Sequence, residues 1–287
     1  MWLRHSCFPL LFTFVLFGIQ PARALPCFGE QAANPSYSVY LVPRISATKL
    51  YQEWAPFLAR LGNEIGLCFT VHIPADFTEF EQAIHTGKPD FVFLNPYHQL
   101  TVVRKPGYIP LVRDQQSELS GVLVVRKDSP LKNIQQLEGT TVSFPSPNAY
   151  VASLLIRALL AQKNIHITAD YVGSHSNVYR GVALGVKQTG GGANTTLDHE
   201  PIELQSQLRI LFKTPNFVPH PFSAHPRVPL NVREKVIAGF LSIATDPVGR
   251  DLLKAVQIAQ PIRADYARDY KSLEKLKLER FAVRGSD

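Results

Sequence analysis

Between residues 37 and 103, short β-branched and aromatic runs alternate with longer apolar-periodic stretches, and the alternation restarts after residue 121. Strand patterns fall at 37–42, 68–73 and 90–94, and the centre of the last is an unbroken Phe91-Val92-Phe93-Leu94. Such a run suits a parallel strand covered on both faces. Helix patterns lie between them. In 48–65, Leu50, Trp54, Phe57, Leu58 and Leu61 share one side at helical spacing. A short helix over 76–85 stops at Gly87, and another opens at Tyr97 behind Asn95-Pro96. This β-α-β-α-β order predicts a parallel sheet with helices on both sides.

Two further strands, 108–113 and 121–126, are joined by a polar loop. Then come a strand at 140–144, a helix at 149–163, a strand at 168–172 and a helix at 177–184. Another strand is read at 208–212, and helices at 231–244, 247–259 and 263–278. The expected architecture is α/β with two lobes. Lobe one takes 28–113 plus 214–287, and lobe two takes 114–213. The chain crosses between them twice, near 113–121 and 210–216, and two crossings make a hinge on which lobes close.

The first residues bear on the compartment. Arg4 and His5 precede an apolar stretch from Phe8 to Ile19, and Ala22-Arg23-Ala24 offers a small-x-small cleavage pattern. This is the layout of a secretory signal peptide, residues 1–24, and it predicts a periplasmic protein. The apolar stretch falls short of the roughly 20 residues of a membrane span. Cleavage would remove two arginines and no acid, so 28 basic against 23 acidic residues leave a charge of +5. That balance steers anions. The basic residues are scattered, which argues against nucleic acid. Cys27 and Cys68 would remain, either as a disulfide suited to an oxidising compartment or as two thiols.

In open α/β sheets, ligands sit at the carboxyl ends of the strands. That rule nominates the loops holding Arg44, Phe77 and Asn95 to Tyr97 in lobe one. In lobe two it nominates Ser146 to Tyr150, His175, and Gly190-Gly191-Gly192. Ser146 is placed as an N-cap with Pro147 at the first helical position, so that free N–H groups at the helix start attract an anion. Each assignment has a plainer counterpart. The 146–150 turn is otherwise only a capped helix start, His175 a structural hydrogen-bonding residue, and the glycines a tight turn. Asn95 and Tyr97 either line the cleft or act as a cap and a packing aromatic. Arg44 either forks onto an anion or lies on the surface. His220 and His225, each followed by proline, read as a rigid surface connection rather than a metal site. No cofactor, metal or catalytic residue is called for.

The ordered set Asp90 to Tyr97, Gly121 to Pro130, Leu137-Glu138-Gly139, Phe144 and Gly173-Ser174-His175 resembles the periplasmic solute-binding proteins of phosphate/phosphite/phosphonate ABC transporters. The likeness covers about residues 37–280. It implies a two-lobed, type II-like periplasmic binding fold, a small anionic ligand, an ABC permease as partner, a monomer, and no catalysis. In that family a Ser/Thr cluster at a helix start meets the phosphorus oxyanion. Here the place reads Pro147-Asn148-Ala149-Tyr150, leaving Ser146, the Tyr150 phenol and backbone N–H groups. The family's histidine after Gly-Ser is His175, and the acid that follows it is Ser176 here. A further family acid, which meets a ligand amino group, has no match in 186–192. Aromatic positions of lobe one correspond to Phe77 and the surroundings of Leu94 to Tyr97.

Two other readings compete. The same clamp could report its ligand to a membrane receptor kinase. Alternatively, Ser46-Ala47-Thr48-Lys49 matches the Ser-x-x-Lys signature of a serine hydrolase, although its partner motifs are missing and Ser46 or Thr48 serves equally as a helix cap.

Overall fold

The computed structural model describes residues 27–30 and 36–283, with residue 2 besides. The expected signal peptide, residues 1–24, lies outside the described residues apart from Trp2. Among the described residues no helix is long and apolar enough to cross a membrane.

Among the described residues, two sheets carry the fold. The first has seven strands: β1 (Phe28–Gly29), β2 (Ser36–Leu41), β3 (Cys68–His72), β4 (Phe91–Phe93), β5 (Ile109–Asp114), β11 (Phe222–Ala224) and β12 (Pro261–Arg263), in the order β1-β3-β2-β4-β11-β5-β12. The alternation read in the sequence gives β2 parallel to both β3 and β4. The second sheet has five: β6 (Gly121–Arg126), β7 (Thr141–Phe144), β8 (Thr168–Tyr171), β9 (Thr189–Ala193) and β10 (Leu208–Lys213), in the order β10-β6-β9-β7-β8. Here β7 runs parallel to β8 and β9, while β6 is antiparallel to β9 and β10. The molecule is thus a two-lobed α/β protein in which the chain passes between the sheets at 115–120 and again at 214–221.

Helix α1 (Ala47–Ile65) covers sheet one. The Ser46 side chain accepts from the Lys49 N–H at 3.4 Å, and the left-handed Gly66 ends the helix. Its apolar stripe puts Trp54 against Phe93 and Phe222, with ring centroids 4.9 and 6.0 Å away, in a fully buried core. Burying each large apolar side chain of this kind contributes about 1.5–3 kcal/mol. Helices α2 (Phe77–His85) and α3 (Pro96–Val102) start on the side-chain caps of Asp76 and Asn95. A disulfide joins Cys27 to Cys68, fastening β1 to the start of β3.

Three sequence expectations fail. The run Gly190-Gly191-Gly192 is not a loop; it lies in β9, buried in the middle of sheet two. A Cβ on Gly191 would strike the Ala152 carbonyl and the Phe144 ring, and one on Gly192 would sit on the Tyr179 hydroxyl. Close approach, not turning, is what these glycines serve. The His220–His225 stretch is likewise no surface connection, because β11 lies inside it, antiparallel between β4 and β5. Its three residues, walled by Pro221 and Pro226, are too few to show a period. Finally, 263–278 is not one helix. It breaks into a π turn (Tyr266–Tyr270) and a 3-10 segment (Lys271–Leu276).

Candidate functional site

The order β3-β2-β4 reverses direction at β2, and β9-β7-β8 does so at β7. Crevices open at the carboxyl ends of strands beside such points. The loops leaving β2 and β4 and the start of α2 meet the loop leaving β7 and the start of α5 (His175–Ala183) around one small cavity between the lobes. Arg44, Asn95, Tyr150, His175 and His220 supply its polar wall. Val42, Phe77, Leu119, Ala149, Val151 and Ala193 are among its apolar groups. The space left is about 20 Å³, enough for little more than one water.

Arg44 is the dominant charge. It is 2% exposed, its guanidinium lies 5.8 Å from the Phe93 ring centroid, and no guanidinium nitrogen has a hydrogen-bond partner among the described residues. Glu53 approaches to 3.9 Å, close enough to offset charge but too far to accept a hydrogen bond. Burial lowers the Arg44 pKa to about 10, against the pull of Glu53, so it stays cationic at neutral pH. A buried donor left unpaired costs about 1–3 kcal/mol, and more when charged. The Tyr150 hydroxyl is a second such group: buried, without a partner among the described residues, and with its pKa raised by that burial.

Tyr150 opens a π turn (Tyr150–Leu154) that runs on into α4 (Leu155–Gln162). The first N–H groups of this continuous helical stretch have no acceptor within the helix, and Tyr150, Val151 and Ala152 border the cavity. Here the sequence reading needs correction. Ser146 is not the N-cap and Pro147 is not the first helical residue, since the helix begins at Tyr150 behind Ala149, which makes no side-chain cap. Ser146 Oγ is buried and unpaired but stands outside the cavity wall.

His175 opens α5 behind its N-cap Ser174. Its Nδ1 lies 3.1 Å from Thr196 Oγ1, which in turn lies 3.0 Å from the Tyr179 hydroxyl. Burial, and then the Arg44 charge, lower the His175 pKa to about 3, so the ring is neutral. His220, at the mouth of β11, stacks on Phe93 with centroids 5.3 Å apart, and burial holds its pKa well below the ordinary value. The cavity therefore pairs one buried cation with two neutral imidazoles.

Of the residues singled out in the sequence, the structure brings Arg44, Phe77, Asn95, Ala149, Tyr150 and His175 to this cavity, and leaves Ser146, Asn148 and Tyr97 off its wall. Asn95 both lines and caps: its Oδ1 accepts from His98 N at 2.8 Å, and its Nδ2 donates to the Asn148 carbonyl at 3.4 Å. Asn148 spends its amide elsewhere, on Glu81 Oε2 (2.9 Å) and on the backbone N–H and carbonyl of Val283 (3.0 and 2.7 Å). Tyr97 packs in the cluster between the lobes. The residue that sequence reasoning missed is His220, hidden with β11 between prolines.

Residues 39–270 match the family described as ABC transporter, phosphonate, periplasmic substrate-binding protein. The chain belongs to this phosphonate-binding family. The phosphonates-binding periplasmic protein of Escherichia coli (strain K12) is 21% identical to this family member over 234 residues, 76% of this chain and 69% of the relative. PhnD1 of Prochlorococcus marinus (MIT 9301), solved in complex with methylphosphonate, superposes with a TM-score of 0.77 at 17% identity, covering 86% of this chain and 99% of that one. A binding protein component of an ABC phosphonate transporter from Pseudomonas aeruginosa also gives 0.77, at 15% identity, over 86% and 87% of the two chains. At these identities the solved structures speak for the fold. Among the described residues of this family member, none on the cavity wall is acidic.

The Ser-x-x-Lys pair forms no hydrolytic centre. Ser46 caps α1, and Lys49 Nζ donates to the His199 carbonyl across the lobes at 2.6 Å.

Proposed function

We propose that this chain is an extracytoplasmic solute-binding protein that captures a small phosphonate-, phosphite- or phosphate-like oxyanion and hands it to an ABC permease. The observation that carries this reading is Arg44, a buried cation whose donors have no acceptor, set beside a helix start in a cleft between lobes. An oxyanion supplies the missing acceptors: it would take charge-assisted hydrogen bonds from Arg44, and others from Tyr150, the imidazoles and the first-turn N–H groups. The cavity is small and walled by both lobes, so the lobes part to admit the anion. Differential contacts then favour the closed arrangement. Both walls come from one chain, so a monomer suffices.

Thermal-shift measurements with phosphite, methylphosphonate, phosphate and sulfate test this. At a ligand concentration near 100 Kd, binding adds about 2.7 kcal/mol, which for a chain of this size raises Tm by about 5–10 °C. Arg44→Gln should weaken anion binding about tenfold and so roughly halve the rise. Failure of every anion to stabilise the protein would sink the reading.

A further inference from the structure

Resting on that oxyanion reading, we infer that the cleft selects phosphonates without an ammonium group, and that Arg44 is the residue that excludes aminoalkylphosphonates. A zwitterionic phosphonate brings its own cation into the cleft. That cation needs a carboxylate, and none of the described residues lining the cavity carries one. Of the acids nearby, Glu53 stands off the cavity wall, its charge opposed to Arg44 at 3.9 Å with no hydrogen bond made. Glu81 is held by His98 and Asn148 at 3.1 and 2.9 Å, and Glu200 by Ser176.

Arg44 makes matters worse for such a ligand. The guanidinium is 2% exposed and stands on the cavity wall that a bound ligand would face. Two like charges about 5 Å apart away from bulk water cost about tenfold or more in affinity. Neutral His175 and His220 offer hydrogen bonds but no offsetting charge. The apolar side of the cavity, built from Phe77, Leu119, Ala149 and Ala193, suits a hydrogen or short alkyl substituent instead.

The decisive comparison is between ethylphosphonate and aminomethylphosphonate, which have the same size and differ in the ammonium. Isothermal titration of the full chain with both, and with methylphosphonate, is expected to show aminomethylphosphonate binding about tenfold or more weaker than ethylphosphonate. In Arg44→Gln, checked for folding by its melting curve, the gap should shrink to about threefold or less. Equal or tighter binding of aminomethylphosphonate overturns the inference and leaves the oxyanion reading standing. Rejection of ethylphosphonate alongside it, with methylphosphonate still bound, assigns the exclusion to size and overturns the role of Arg44. Binding of none of the three removes the oxyanion reading and the inference together.

Discussion

At the scale of single residues, the site is a collection of groups that the fold leaves unsatisfied. Tyr150 illustrates the consequence. Its ring packs edge-on to Phe217 at 5.7 Å, while its hydroxyl, buried, has no partner among the described residues. Removing that oxygen should not harm the fold, because an unpaired buried hydroxyl costs about 1–3 kcal/mol rather than contributing. Tyr150→Phe is therefore expected to melt at or above the parent temperature while binding anion about tenfold more weakly, the loss of one good hydrogen bond. Melting curves with and without methylphosphonate separate the two effects. A lower melting temperature for the unliganded variant would mean the hydroxyl is structural.

At the scale of elements, the glycines of β9 show how residues serve the site without lining its cavity. Its glycines let the Ala152 carbonyl, Phe144 and Tyr179 press onto the backbone of sheet two. Tyr179 is fully buried and fixed by the Ala193 carbonyl at 2.9 Å and by Thr196 at 3.0 Å. The same Thr196 hydroxyl meets His175. Gly192→Ala would displace Tyr179 and, through Thr196, the imidazole. Overpacking of this kind costs about 1–3 kcal/mol. The variant should lose stability by that amount in urea unfolding and also weaken anion binding. A parental midpoint would contradict the close approach seen at β9.

At the scale of the whole molecule, the lobes are tied by more than the two crossing segments. Asn148 of lobe two grips Glu81 of α2 and both backbone groups of Val283. Lys49 reaches the His199 carbonyl, and Gln257 reaches Thr195 and His199. Between the lobes, Tyr97, Leu119, Leu154, Tyr270 and Leu273 form one apolar cluster, so the C-terminal segment lies across both halves. Asp269 anchors that segment to β5 by accepting from Arg113 at 3.0 Å. With Arg113 and Arg268 as partners, its carboxyl lies at about 2 despite burial. Asn148→Ala removes a tie without removing a wall of the cavity. It should shift the lobes toward an open arrangement, raising the radius of gyration in solution scattering and lowering anion affinity about three- to tenfold. An unchanged scattering profile and affinity would show that Asn148 does not govern closure.

The sequence alone determined the alternation of strands and helices through 37–103 and 140–184. The reason is that burial on one stripe of a helix, or on both faces of a parallel strand, writes a local period into the chain; α1 and β4 were legible in this way, and residue type offered Ser46 and Asn95 as caps. It also pointed to the loops at the carboxyl ends of β2, β4, β7 and β8, because that follows from topology. What it could not carry was anything set by contact between distant segments. A three-residue strand between prolines has no period, so β11 and His220 stayed hidden. A glycine run reads as a turn until the groups pressed against it are seen. Whether Asn148 faces a ligand or Val283, 135 residues away, is decided only when both lobes and the C-terminal segment are in place. Arg44 makes the same point most sharply: an arginine in a loop is ordinarily solvated, and only the closing of two lobes over it turns it into a buried charge in need of an anion.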